Sequence, residues 1–284
     1  PLFVKLVESD PALYTMILQL ANSPYYKAVD KIVSLRAAVT RIGLTEIINS
    51  VCLHLFQKML PKFPDIEGFS YDDFWSYSWT CALANRRLGH PNLGMDVTPG
   101  ELYMTGMLHG LGKLLLAIHF PNEFSQCLKK AKAFKLPLHQ VERDVFGTTD
   151  ALVASAVLKS WNLPPNVCEG VAFHQMPELA PPEYVVIAGL TQFAYVIAEM
   201  TGHGCNGDGL KMDLPSTHLG KLPGTEFSKP DVQENLVQEI TASLAEKAEK
   251  ATPRPHESQA QEHGSKKSEP LRKVKTPPPL AAPV

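Results

Sequence analysis

No Cys-x-x-Cys pair occurs among the five cysteines of this 284-residue chain, Cys52, Cys81, Cys127, Cys168 and Cys205. The number is odd and four of the five fall in apolar helical patterns. A disulfide framework is therefore disfavoured, and reduced, packed thiols in a cytoplasmic protein are expected. A long hydrophobic run is also missing. The most apolar segment, 184–200 (YVVIAGLTQFAYVIAEM), is interrupted by Thr191 and Gln192. It falls short of the roughly 20 residues a bilayer demands and reads as a buried helix. Charge of one sign is not in excess: 27 Lys and Arg face 29 Asp and Glu, for a net charge of −2. Nothing draws the whole chain towards nucleic acid or an anionic membrane. The chain does not begin with Met and shows no signal peptide. Its opening, PLFVKLVESDPAL, starts inside an apolar run, as a fragment would. What is present is an ordinary globular balance, 44% hydrophobic and 20% charged.

No stretch alternates with period two, and helical spacing dominates, so the expected class is all-α. Asp10 before Pro11 is an N-cap followed by proline at the first helical position, with Leu13, Ile17 and Leu20 on one face. Ser34 caps a second helix carrying Leu35, Val39 and Ile42, and Gly43 is placed to end it. Thr45 opens a third, striped by Ile47, Ile48, Val51, Leu55, Phe56 and Met59. After the breaker-rich PKFPDIEGFS (61–70), helical patterns run over 71–88, 99–119, 121–135, 137–146, 149–161, 164–175 and 182–200. The expected architecture is two-lobed: a small N-terminal helical lobe over 1–66, then a larger helical lobe over 67–227.

Residues 201–227 are rich in Gly, Pro and polar types. His203, Cys205 and Asp208 match neither an EF-hand nor a zinc spacing, so this segment reads as a surface loop. Ser228 and Asp231 resemble a capping box before a final amphipathic helix, 228–250, in which Val232, Leu236, Ile240 and Leu244 recur every four residues. From 251 to 284 Pro, Ala, Lys and Ser replace any apolar period, the composition of a disordered tail.

The stretch VESDPALYTMILQLANSPYYKAVDKIVSLRAAVTRIGLTEIINSVCLHLF (7–56) closely resembles the HDOD family, the HD-related output domains of bacterial signalling proteins. The match includes Asp10-Pro11, Leu20-Ala21-Asn22-Ser23, Tyr25-Tyr26, Ile32, Ser34-Leu35, Ala38 and Gly43-Leu44. FWSYSWTCALANRRL (74–88), LYMTGMLHGLGKLLLAIHFP (102–121) and ERDVFGTTDALVASAVLKSWNLPPNVCEGVAFHQMP (142–177) continue the resemblance. The usual first helices of such a domain are absent, which agrees with a truncated start.

In HD-superfamily enzymes, His and Asp side chains from several helices converge on one or two metals, and a central His-Asp pair supplies the bridging carboxylate. The resemblance implies that each ligand position can be checked here. The first His falls on Tyr77, the central His is kept as His109, and the central Asp is Gly110. A later His falls on Asp150, and the final His pair becomes His174-Gln175. The closing acidic position falls on Gly189 or Gln192, and Glu101 is the nearest acidic residue upstream of 110. Tyr77, His109, Gly110, Asp150 and His174 thus outline a vestigial pocket without catalytic, cofactor or metal residues. His109 and His174 read as core histidines satisfied by a backbone carbonyl or by each other through water. Trp75 and Trp161 read as core packing. Gly106, Gly110 and Gly112 read as close-packing glycines, with room for Gly110→Ala to keep or raise the melting temperature.

The resemblance implies a non-catalytic output module that binds a protein partner, or a small regulatory ligand where metals once sat. The family is associated with cyclic-di-GMP turnover, chemotaxis and motility. Asn22, Ser23, Tyr25 and Tyr26 are the candidate interaction surface. One alternative is a metal-dependent phosphohydrolase acting on cyclic dinucleotides or nucleotides, although no Gly-Tyr-Pro tripeptide occurs. Another is DNA binding through the helix–turn–helix-like segment 34–51, whose second helix offers no Arg or Lys before Lys58.

Overall fold

Asp10 begins a helix through its own carboxylate: Oδ1 accepts the backbone N–H groups of Ala12 and Leu13, at 2.9 and 3.2 Å. Pro11 follows at a position that needs no N–H, and helix α1 spans Pro11–Ala21. Ser34 caps α2, Leu35–Ile42, by accepting from Ala37 N. Gly43 ends α2 at φ 92°, a left-handed conformation that favours glycine. Helical backbone resumes at Leu44 and is present at Ile47, Ile48 and Val51. These segments close over their own apolar cluster, which includes Val7, Ile17, Leu35, Ala38 and Ile47.

The structure is a computed structural model. It describes residues 7, 9–22, 31–44, 47, 48, 51, 61, 66–89, 97–208 and 211–251. Ser23, Tyr25 and Tyr26, most of the helix read from Thr45, and the tail from 252 onward lie outside the described residues.

Beyond residue 66 the helices are α3 (Tyr71–Leu88), α4 (Pro99–Leu108), α5 (Leu111–His119), α6 (Pro121–Phe134), α7 (Leu138–Phe146), α8 (Asp150–Ser160), α9 (Pro165–Phe173), α10 (Val185–Thr201) and α11 (Pro230–Ala251). Short 3₁₀ turns occupy Pro177–Leu179, Leu214–Ser216 and Glu226–Ser228. No strand occurs among the described residues, and Ile66 and Phe69 form an isolated bridge. The chain is all-α, as its periodicity predicts.

Helix α3 packs on α4 and α10, while α9 joins α4, α8 and α10, and α5 lies against α8. Two apolar cores result. One gathers Phe69, Phe74, Trp75, Leu111, Leu114, Phe124 and Val167. The other gathers Tyr77, Leu88, Leu190, Phe193, Ile197 and the inner face of α11. Glycine permits the closest approaches. A Cβ on Gly106 would lie 2.7 Å from Ala82 Cα, and one on Gly112 would lie 1.9 Å from the Asp150 carbonyl oxygen.

Three sequence readings are corrected. The pattern over 99–119 is not one helix: it breaks at His109–Gly110, where Gly110 takes φ −95°, ψ 6° and starts α5. The apolar stripe runs through the break, which hides it from periodicity. Ser228 is not a cap, because its hydroxyl donates to the Thr225 carbonyl and α11 starts at Pro230. Trp161 is 36% exposed at the end of α8, whereas Trp75 is buried as expected.

Candidate functional site

The break between α4 and α5 carries His109 to the centre of the helical body. Its Nδ1–H donates to Gly106 O at 2.7 Å. His174, one residue past α9, repeats the device with Val171 O at 2.8 Å. A carbonyl only accepts, so each Nδ1 holds the proton and each Nε2 presents a lone pair. The rings meet edge to face, with centroids 5.2 Å apart. Burial pushes His109 down to about 3, with His174 adding to the effect, and burial likewise lowers His174. Both imidazoles are neutral.

Tyr77 and Tyr195 close the aromatic wall. Their ring centroids lie 5.8 and 5.7 Å from His109. Tyr77 donates its hydroxyl to the Tyr195 carbonyl at 2.7 Å. Tyr195 donates to the Asp208 carboxylate. Burial raises both phenols well above their ordinary range, so both stay protonated donors.

Lys113, on α5, is 1% exposed. Its Nζ donates to Asn206 O at 3.1 Å and lies 3.5 Å from Asp208 Oδ2. Burial opposes the charge, but the carboxylates of Asp208 and Asp150 outweigh it and keep the ammonium protonated. Burial also opposes ionisation of Asp150 and Asp208, and Lys113 reverses the balance in both. Glu142 goes the other way. Burial and then the Asp150 charge push it well up, so it holds a proton. Its Oε2 accepts the Asp150 backbone N–H at 2.9 Å, while Gln175 Nε2 donates to Asp150 Oδ1 at 2.7 Å. The cluster therefore holds one ammonium, two carboxylates and one neutral acid, which leaves one negative charge in excess.

The structure thus brings Tyr77, His109, Asp150 and His174 together, with Gln175 beside them. Gly110 behaves otherwise. A Cβ there would point at the Phe74 ring, 2.8 Å from Cε2, so the residue faces the aromatic core and offers no room for alanine. Gly189 faces Leu219, and Gln192 is spent between Gln175 O and His218 N. Helix α1 places Asn22 as a staple: Nδ2 donates to Leu18 O and Ile32 O, and Oδ1 accepts Ile32 N–H. It is committed to its own fold.

Sequence reasoning missed Lys113, Glu142, Tyr195 and Asp208. Asp208 corrects the reading of 201–227 as a plain surface loop: its carboxylate turns inward, where Leu138 N–H, Tyr195 and Lys113 hold it. The signal for Lys113 was available, since a lysine inside LGKLLLA has no route to water from an apolar helix.

The donor set does not fit the metal centre that an HD-type site implies. Among the described residues no group of three His, Cys, Asp or Glu is arranged to hold a metal ion. The Lys113 ammonium already pairs with the Asp208 carboxylate, and the position of the bridging carboxylate in the resemblance is Gly110.

The HDOD domain model matches residues 2–177, and the chain belongs to this family. A curated relative from Treponema pallidum (strain Nichols), an uncharacterized protein, is 26% identical over 197 residues. That alignment covers 67% of this chain and 36% of the relative, so the chain spans about a third of its length. Among solved structures, an HDOD domain protein of unknown function from Geobacter sulfurreducens is 23% identical with a TM-score of 0.68, covering 87% of this chain and 84% of that one. A candidate phosphohydrolase from Shewanella amazonensis SB2B is 23% identical at TM-score 0.62, covering 87% and 86%. A candidate signal transduction protein from Marinobacter aquaeolei VT8 is 21% identical at TM-score 0.71, covering 88% and 55%. These likenesses establish the fold.

Proposed function

We propose that the chain is a non-catalytic signalling module of a bacterial regulatory pathway, which acts by binding a partner protein or a small ligand. The observation that carries this reading is the buried Lys113 ammonium among Asp208, Asp150 and protonated Glu142. A hydrolytic centre of this lineage needs a divalent cation to polarise the phosphoryl group and to make hydroxide from water. Here a fixed monovalent cation pairs with Asp208 and has no open coordination position for water. The name of the Marinobacter neighbour supports the same class of role. No helix among the described residues is long and apolar enough to cross a membrane, so the role is proposed without a spanning segment.

Two measurements on purified protein test the reading. Elemental analysis is expected to find no stoichiometric Mn, Fe, Mg or Zn, and phosphoester substrates are expected to stay intact. One metal per chain that disappears with His109→Ala, or hydrolysis that depends on His109, would overturn it.

A further inference from the structure

Helix α2 uses only one of its faces in the fold. It buries Leu35 and Ala38 in the apolar cluster it shares with α1. The opposite face is exposed at Arg36, Ala37, Thr40 and Arg41. A concavity runs along that face, and Lys31 and Val33 line it as well. Val33 is 69% exposed, although Ile32 before it and Leu35 two residues on are both buried.

The edge of this concavity is held in place. Asn22 grips Ile32 on both sides: its Nδ2 donates to Ile32 O at 2.7 Å, and its Oδ1 accepts Ile32 N–H at 2.8 Å. The Tyr14 hydroxyl donates to Val33 O at 3.2 Å. Ser34 Oγ accepts Ala37 N–H at 3.2 Å. An apolar side chain is thus presented outward on a fixed backbone, and binding to such a group carries little ordering cost.

Charge decides what fits. Residues 31–44 hold Lys31, Arg36 and Arg41 and no Asp or Glu, in a chain whose 29 acidic residues outnumber its 27 Lys and Arg. Among the described residues no carboxylate is paired with Lys31 or Arg36. The aliphatic stems of these cations widen the apolar floor made by Val33 and Ala37. Eight residues of α2 extend about 12 Å, room for about two turns of a helix or four residues of extended chain. Nucleic acid takes its affinity from many phosphate contacts, and three cations around an apolar floor supply few. A lipid surface needs a broad apolar stripe, which one valine and one alanine do not make. Carboxylates set around a single apolar side chain match the face.

We infer that this face of α2 docks a short acidic segment of a partner protein, whose carboxylates meet Lys31, Arg36 and Arg41 while one apolar side chain rests on Val33 and Ala37. The inference rests on the binding role proposed above and places the contact on the small lobe, away from the buried Lys113 cluster.

The probe is a labelled synthetic peptide of glutamate and leucine in an amphipathic pattern, titrated with the intact chain and followed by fluorescence anisotropy. The counter-probes are the same peptide with lysine for glutamate, the same peptide with alanine for leucine, and a double-stranded DNA. The glutamate–leucine peptide is expected to bind, more weakly as salt is added, and more tightly than any counter-probe. Lys31→Glu with Arg36→Glu is expected to weaken it by about ten-fold or more. Val33→Ser, at an exposed position, is expected to weaken it by about three-fold. Lys129→Glu with Lys130→Glu, an equal charge change on exposed residues of α6, is expected to leave it unchanged. Circular dichroism melts check that every variant is folded. No binding of the glutamate–leucine peptide, an equal loss in the α6 variant, or no loss in the α2 variants would overturn the docking face. DNA that binds more tightly than the peptide and is lost with Lys31→Glu and Arg36→Glu would replace it with a nucleic-acid face. Metal content and phosphoester turnover are read separately, so a chain that is metal-free and inert but fails these titrations loses the docking face and keeps the non-catalytic reading.

Discussion

At the scale of single residues, the site is governed by which buried charges have partners. Lys113 sits among carboxylates in the interior, and removing one member of such a set strands the others. Lys113→Met is expected to cost roughly 3–5 kcal/mol, the range for breaking a buried ion pair, and to lower the urea midpoint accordingly. Adding Asp208→Asn should recover part of that loss, since the amide oxygen can still accept from Leu138 N–H while the amide NH2 donates to the Tyr195 hydroxyl oxygen. A double variant no more stable than Lys113→Met would show that Asp150, rather than Asp208, holds the ammonium. The glycines make the same point sterically. A Cβ at Gly112 would collide with backbone at Asp150, which has no rotamer to change. Gly112→Ala is expected to lose about 3 kcal/mol or more, beyond the usual overpacking range. Gly110→Ala meets only the Phe74 ring and should lose about 1–2 kcal/mol. Equal and negligible losses in thermal unfolding would mean that α5 can slide away from α8 at no cost.

At the scale of elements, what could be read in the sequence follows from how local each cause is. Asp10, Pro11, Ser34 and Gly43 act within one turn, and their helices begin and end where those residues predict. The inward face of α11 was equally legible, because Leu236, Ile240 and Leu244 repeat at a single spacing and all three are buried. The break at Gly110 was not legible, since the core touches both sides of it. Nor was Asp208, whose partner Lys113 is remote in sequence and whose surroundings are glycine and polar residues. Its role depends on α10 and the loop after it returning to α5. The helix ends around the site also set how it responds to acid. An unfolded chain protonates His109 near 6.5, whereas the folded one resists until about 3. Between those values the unfolded state binds more protons, so stability is full above 6.5 and falls as pH drops, by up to about 1.4 kcal/mol per pH unit. His174 has the same sign. Glu199, near the end of α10, opposes it. Burial lifts this carboxyl from 4.5 to about 7, so its contribution is present below 4.5 and lost as pH rises through 7. Glu199→Gln is therefore expected to stabilise the chain at pH 8, by on the order of 1 kcal/mol after allowing for the solvent it still sees. It should also steepen the loss of stability between pH 6.5 and 4.5. Urea titrations across that range check both, and an unchanged slope would show that another group offsets the histidines.

At the scale of the molecule, the described residues fall within one compact unit, and the family match stops before that unit is complete. Residues 2–177 hold Tyr77, His109, Lys113, Glu142, Asp150 and His174, but Tyr195 and Asp208 come later. A chain ending at 177 would keep the matched segment and lose α10, the helix that covers α3 and α9. It would also leave Lys113 buried without Asp208, or drive it into water and open the core. Such a piece is expected to show no cooperative thermal transition in near-ultraviolet circular dichroism. A chain ending at 229 is a milder case. It keeps the whole site and loses only α11, whose Leu236, Ile240 and Leu244 seal the second core, together with the Gln233 amide that donates to Phe227 O at 2.6 Å. Each of those side chains contributes roughly 1.5–3 kcal/mol when buried, a large share of a total stability of about 5–15 kcal/mol. The expected outcome is a cooperative but clearly lowered transition. A cooperative transition in the chain ending at 177 would mean that α10 and the Asp208 loop are additions to a finished domain, and that Lys113 finds its counter-charge in Asp150 and Glu142 alone.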